Sequence, residues 1–234
     1  MKIDVFTLFP EWFDWFGSQR HVSNVLTAGT SLECVNYRDH TPLSGRQVDD
    51  TPFGGGAGMV LRVDVVDSAL KARYGVDSVS LRERRRVIAL SAGGRVLDDE
   101  LVDELTAEPA LTLLCGRYEG LDERVVEHFC SDAISIGRYV LSGGELAAMV
   151  VLDAVLRKLP GALGHQDSAA EESFSAALEG HPEYPHYTRP AEYRGWAVPE
   201  VLLSGHHERI EQWRRERSRE RGELRSERRR PRLG

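Results

Sequence analysis

The feature that most constrains this chain is the strict order in which short β-rich runs and helix-period segments alternate. Residues 2–9 read as a strand closed by Pro10, and residues 32–37 as a second strand. Residues 64–74 carry Val66, Ala69, Leu70 and Tyr74 at helical spacing. Then come a strand at 86–90, a helix at 98–106, a strand at 111–114, a helix at 122–129 with Val125, Val126 and Phe129 inward, and a strand at 133–136. Strands separated by single helices predict βαβ units, and so an α/β fold on a largely parallel sheet with helices on both faces. Residues 145–159 are apolar nearly all round, which predicts a buried helix in a core or at a subunit interface. Beyond Pro160-Gly161 the pattern changes to a polar stretch, a Pro-, His- and Tyr-rich segment and an Arg/Glu-rich helix from Glu208. The expected organisation is a main domain over 1–163, a linker over 164–175 and a small, mainly helical domain over 176–234.

Charge sharpens that division. The 234 residues carry a formal net charge of −7, which read alone argues against a polyanionic partner. From Glu208 onward, however, eleven arginines face six acidic residues, so an acidic body ends in a basic tail. Such asymmetry favours a nucleic-acid partner. A solvated Arg/Glu helix fits the composition of the tail about as well. The three cysteines, Cys34, Cys115 and Cys130, are too few and scattered for a disulfide framework or a zinc cluster. No metal site is expected from the Cys and His spacing. The N-terminus lacks the basic-then-apolar order of a signal peptide, and the longest apolar stretch is too short and too interrupted to span a bilayer. The expectation is a cytoplasmic protein without a membrane partner.

Three of the later strands are each followed by a glycine-containing loop, at 91–94, 116–120 and 137–144. In open α/β sheets ligands bind where the carboxyl ends of strands meet such loops, and glycines there let backbone approach the ligand. Any one loop would need glycine for turning anyway; three in succession favour a nucleotide-like ligand. The run Gly54-Gly55-Gly56-Ala57-Gly58 matches neither a phosphate-binding P-loop nor a dinucleotide fingerprint, and fits a substrate-facing loop better. Ser142 and Glu145 have the spacing of a helix-capping box. That does not account for Gly143 and Gly144 in the same turn, where close approach of ligand or backbone is the expected reason.

The motifs GRYEG (116–120), SIGRYVLSGGE (135–145), LPGALGH (159–165), EESF (171–174), HYTRP (186–190) and VPEVLLSGHH (198–207), in this order, resemble the bacterial tRNA (guanine-N1)-methyltransferase family, TrmD. The resemblance runs from the N-terminal KIDVFTLFP to the basic tail. It implies a homodimer whose α/β domain is of the SPOUT class, with a deep C-terminal trefoil knot that binds S-adenosylmethionine. It also implies methylation of N1 of the guanine immediately 3′ of the tRNA anticodon. Carried over, the methyl-donor site comprises Gly116, Tyr118 and Glu119 of GRYEG and the stretch Ile136, Gly137, Arg138, Tyr139, Val140 and Leu141. Leu90, Ser91, Gly143 and Gly144 lie beside it. The resemblance links Glu119 to a magnesium (Mg2+) requirement; a loop-stabilising carboxylate is the alternative.

Guanine N1 carries a proton and attacks poorly until it leaves, so the reaction needs a base near N1 and a cation near O6. By resemblance the base is Glu172, where the family has Asp, and the cation is Arg157. Ser168 and Glu171 fit a capping box, which gives Glu171 a structural role and leaves Glu172 without one. Asp153 and Arg157 also have the i,i+4 spacing of an ordinary helix-surface pair. Two further departures are Arg138, where the family motif has Asp, and Gly45, where relatives tend to have His. For tRNA the expected contacts are Asp50, Gly55 and Gly56, Tyr187, Arg189 and the C-terminal arginines, whose phosphate contacts carry sequence-independent affinity. A relative acting on another RNA position and an RNA-binding module without catalysis are the competing readings.

Overall fold

The structure, a computed structural model, describes residues 1–163 and 172–229, with side chains as far as Arg225. The chain divides into two compact units, Met1–Gly164 and His165–Gly234. In the first, the elements in order are β1 (Lys2–Thr7), α1 (Trp12–Gly17), α2 (Arg20–Thr27), β2 (Ser31–Asn36), β3 (Asp49–Asp50), β4 (Val60–Leu61) and α3 (Val63–Tyr74). They continue with α4 (Ser78–Leu81), β5 (Arg86–Val96), α5 (Asp99–Thr106), β6 (Ala110–Cys115), α6 (Glu123–Phe129), β7 (Asp132–Ser135) and α7 (Glu145–Leu156). The second holds β8 (Glu192–Tyr193), β9 (Trp196–Ala197), α8 (Glu200–Leu203) and α9 (His207–Arg229).

Five strands form one sheet in the order β2-β1-β6-β5-β7, and every pairing is parallel. Alternate strand residues go to opposite faces, as the pleat dictates. Ile3, Val5, Ile88, Leu90, Leu111 and Leu113 pack with α1, α2, α5 and α7, whereas Phe6, Val87, Ala89 and Leu114 pack with α3, α4 and α6. Helices therefore cover both faces, and the strands read as near-continuous apolar runs because both sides are buried. Asp98 and Asp122, expected as first helical residues, instead cap α5 and α6 by accepting from the backbone N–H of Leu101 (3.0 Å) and Arg124 (3.0 Å).

Three local expectations change. The strand expected over 86–90 runs on to Val96, and the glycine loop becomes an excursion within it: Leu90 and Arg95 both face Ile134 of β7. A Cβ on Gly94 would lie 2.4 Å from the carbonyl carbon of Ala133, so only glycine lets β5 rejoin its partner there. The capping box at Ser142 does not form. Gly144 occupies the N-cap without a side-chain bond, and Glu145, fully buried, accepts instead from the Thr7 hydroxyl at 2.9 Å. Finally, α7 ends at Leu156, earlier than expected, and is buried on one side only, with Leu146 and Val150 exposed.

The second unit is organised around α9. The Ser218 hydroxyl donates to the Pro182 carbonyl (2.8 Å) and Arg221 to the Glu183 carbonyl (2.8 Å). The guanidinium groups of Arg214 and Arg225 lie over the rings of Tyr184 (4.8 Å) and Phe174 (4.5 Å). Much of the basic helix thus holds its own unit together, which composition did not reveal. The expected capping box from Ser168 to Glu171 lies outside the described residues.

Candidate active site

Because all five strands run the same way, their carboxyl ends share one edge. The excursion within β5 and the loops leaving β6 and β7 enclose a cleft there of about 260 Å³. Leu90, Ser91, Gly116, Tyr118, Glu119, Ile136, Gly137, Tyr139, Val140, Leu141, Gly143 and Gly144 all line it. These residues come from three distant chain segments, and the topology brings them together. Of the thirteen residues expected to form the donor site, Arg138 alone is not part of this wall; its side chain is exposed. The charge change from the family's Asp therefore falls outside the cleft lining.

The wall also holds Ala92 and Gly120, from two of the expected glycine loops, and residues that no sequence signal marked: Leu121, Glu123, Val126, Ile134, Ser135 and Ala147. Val126 reads as an inward-facing residue of the helix over 122–129, and Ser135 as a strand residue. Nothing in local sequence distinguishes a side chain facing a cleft from one facing the core.

Close backbone approach explains the glycines. The Gly144 N–H donates to the Gly116 carbonyl at 2.8 Å, and a Cβ on Gly144 would sit 2.8 Å from Cys115 Cα. One side of the cleft is thus two backbone segments in contact. The loop after β6 is also stitched to the segment before α3. Glu119 N–H donates to the Met59 carbonyl (3.0 Å), Leu61 N–H to Gly120 (3.0 Å) and Asp122 N–H to Leu61 (3.0 Å). This places Gly58 against the Glu119 side chain, where an added Cβ would lie 2.2 Å from Oε1. The glycine-rich run and the cleft wall are therefore neighbours. Tyr118, at φ 59°, turns the loop in the left-handed region.

Burial disfavours the thiolate at all three cysteines. Burial pushes Cys34 and Cys130 up to about 12 and Cys115 well above its ordinary value, so all three stay protonated at neutral pH. Among the described residues no group of three or more His, Cys, Asp or Glu side chains could hold a metal ion. Among the described residues Glu119 belongs to no such group.

Of the remaining expected residues, Arg157 and Asp50 are in the first unit outside the cleft wall, and Glu172, Tyr187 and Arg189 belong to the second unit. Arg157 is exposed and caps the end of α7, its N–H bonded to the Asp153 carbonyl at 3.2 Å. The Asp153 carboxylate pairs with His21 Nε2 at 2.8 Å. Asp50 pairs with Arg62 at 3.2 Å beside the exposed glycine run that contains Gly55 and Gly56. In the second unit Glu172 is half-buried and its carbonyl accepts from Ser175 N–H at 3.1 Å. Tyr187, half-exposed, has its ring 6.4 Å from that of Trp213, and Arg189 is exposed.

A parallel α/β sheet with a glycine-walled cleft at its carboxyl edge is the arrangement in which open α/β sheets place their ligands. The family model described as tRNA (Guanine-1)-methyltransferase TrmD matches residues 1–233. A tRNA (guanine-N(1)-)-methyltransferase of Brevibacillus brevis is 50% identical over 219 residues, covering 92% of this chain and 85% of that protein. One of Rhodospirillum rubrum is 50% identical over 221 residues (94% and 88%), and one of Dehalococcoides mccartyi 48% over 219 residues (93% and 86%). The chain belongs to the tRNA (guanine-1)-methyltransferase family.

Proposed function

We propose that this tRNA (guanine-N1)-methyltransferase holds S-adenosylmethionine in the carboxyl-edge cleft and methylates N1 of the guanine immediately 3′ of the anticodon. The observation that carries the reading is the convergence of twelve expected donor-site residues from three chain segments on one cleft. Backbone amides and carbonyls around Gly116, Ile136 and Leu141 suit an adenine edge, and the glycines leave room for it. Bound there, the donor supplies an electrophilic methyl group on a sulfonium.

Glu172 is the general base: it takes the N1 proton, the pair freed on N1 forms the bond to the methyl carbon, and the carbon–sulfur bond breaks with its pair leaving on sulfur as a neutral thioether. Arg157 balances the negative charge drawn onto O6. The target base has to leave its stack to reach such a cleft. Asp50, Gly55, Gly56, Tyr187, Arg189 and exposed arginines of α9 hold the tRNA. Tail arginines engaged with Tyr184, Glu183 and Phe174 serve the fold of their unit instead.

The trefoil knot and the homodimer belong to the same reading. The chain leaves β7 at the sheet edge and bonds back at Gly144 to the exit of β6, beyond β5, which is a path that suits a threaded loop. Leu146 and Val150, exposed four residues apart on an apolar helix, suit a partner surface. The organisation proposed is a methyltransferase domain over 1–163, a linker over 164–175 and a tRNA-binding domain over 176–234. No helix among the described residues is long and apolar enough to cross a membrane.

The test is incubation of the protein with labelled S-adenosylmethionine and bulk tRNA, followed by mapping of the labelled nucleotide. Label at N1 of the anticodon-adjacent guanine is expected, and label at any other position overturns the target. Glu172→Gln is expected to slow single-turnover transfer by about 10²–10⁴-fold, the usual share of a general base. A near-normal rate removes Glu172 from that role.

A further inference from the structure

Arg117 lies in the GRYEG loop but outside the cleft wall. Its guanidinium sits over the Phe9 ring at 4.6 Å and the Trp12 ring at 5.9 Å, and its Nη1 is 3.7 Å from Glu145 Oε2. Glu145 is fully buried at the first position of α7, and Oε2 makes no hydrogen bond among the described residues. The other carboxylate oxygen accepts from Thr7, whose hydroxyl also receives the Phe9 N–H at 2.9 Å. A buried carboxylate with an incomplete set of partners is a poor way to stabilise a fold. Its position suggests another use.

The same pair grips both glycine loops. Arg117 bridges Gly143 in antiparallel fashion, and its carbonyl receives Gly120 N–H at 2.9 Å. A Cβ on Gly143 would lie 2.4 Å from Arg117 Cδ and 2.5 Å from Glu145 Oε2, so the turn at Ser142–Gly144 closes directly over the ion pair. The exit of β1, the loop after β6 and the turn into α7 thus meet on one guanidinium–carboxylate contact.

We infer that Arg117 and Glu145 are positioning residues, a buried clamp that fixes the two glycine loops at the separation the methyl donor requires. The clamp rests on the donor-cleft reading above. It touches neither reacting group; it acts by pre-forming the cavity, so that less ordering is left to accompany binding. A role confined to folding would move thermal stability and leave donor affinity alone. A positioning role predicts coupled losses in donor affinity.

The experiment is calorimetric titration of S-adenosylmethionine into the intact protein, with thermal unfolding and tRNA affinity measured in parallel, for Arg117→Met, Glu145→Gln and the double variant. Each single variant is expected to weaken donor binding at least tenfold and tRNA binding less than twofold. KM for the donor should rise while kcat at saturating donor stays within threefold. The double variant carries no stranded charge, so it keeps the protein folded if Arg117→Met alone does not. It should bind donor no more weakly than the worse single variant. Arg117→Lys, which keeps the charge and loses the planar stack, should fall between wild type and Arg117→Met. Donor affinity within twofold of wild type across the folded variants overturns the clamp, as do strictly additive losses. Failure of the wild type to bind donor overturns the cleft reading, and the clamp with it.

Discussion

The two edges of the central sheet are built from different materials. At the amino edge Asp4, buried on β1, is gripped by side chains. Arg73 donates to it at 2.6 Å, the Tyr74 hydroxyl at 2.8 Å, and Arg85 joins it while also donating to the Leu111 carbonyl at 2.9 Å. Nearby, Arg86 reaches Asp132 at 3.2 Å and Glu104 at 3.4 Å. At the carboxyl edge the contacts are mostly backbone to backbone, among glycines with no room for a Cβ. Long charged side chains tie strands together wherever no ligand has to enter. Bare backbone keeps the opposite edge narrow, polar and open. In the proposed reading, stability and ligand binding fall to different ends of the same strands.

The largest expected effect at the amino edge comes from Asp4→Ala, which leaves Arg85 and Arg73 facing a partly buried void. Removing one member of a buried ionic cluster costs about 3–5 kcal/mol. Denaturant unfolding should register that loss, while donor affinity of the folded fraction stays within twofold of wild type. Gly144→Ala is the mirror experiment. The added methyl meets backbone of Cys115, so the cleft wall has to move. Donor affinity should fall by roughly a hundredfold, about 2.7 kcal/mol, with a smaller loss in unfolding free energy. If each variant hurt both properties equally, the division between edges would be wrong.

A smaller effect is expected at Asp122, the cap of α6 just beyond the cleft loop. Asp122→Ala should cost about 1 kcal/mol, as a lost N-cap does. Hydrogen bonds from Arg124 hold the Asp122 carboxyl below the usual carboxylate range, and those from Arg62 do the same for Asp64. Carboxyls depressed in the folded state stabilise it above their unfolded value, and that contribution disappears as pH falls through the folded one. The unfolding midpoint of Asp122→Ala should accordingly lose less on acidification than wild type. At the other extreme, Cys34 and Cys130 are neutral in the fold up to about 12, against about 8.5 for a free thiol. Their contribution is complete below pH 8.5 and is lost as pH rises toward 12. A disulfide-exchange reagent at pH 8 should label the native protein slowly and the unfolded one quickly. Rapid native labelling of Cys115 or Cys130 would contradict their burial.

The sequence revealed the two edges unequally. Alternation of apolar runs with helix-period segments was enough for the α/β sheet, because a strand buried on both faces leaves a near-continuous apolar signature, broken only by Asp4 in Ile3–Phe6 and by Thr112 in Leu111–Leu114. The glycine loops also pointed to the cleft, since a glycine pair in a first helical turn needs a reason. The amino-edge cluster was invisible: Arg73 and Arg85 lie 69 and 81 residues from Asp4 in sequence, and only the fold brings them to it. Glu145 was misread for the same reason. Its spacing from Ser142 fits a local cap, but Thr7, 138 residues away, holds it instead. Local patterns carry local geometry; they do not carry the partner that the topology supplies.

The central claim is that the methyl donor sits at the carboxyl edge, and hydrogen exchange of the intact protein with and without S-adenosylmethionine tests it most directly. Donor should slow backbone exchange in three segments, 90–94, 116–121 and 135–144, and leave the amino-edge residues 2–4, 86–88 and 110–112 unchanged. Protection confined to other segments, or spread evenly over both edges of the sheet, would contradict the account.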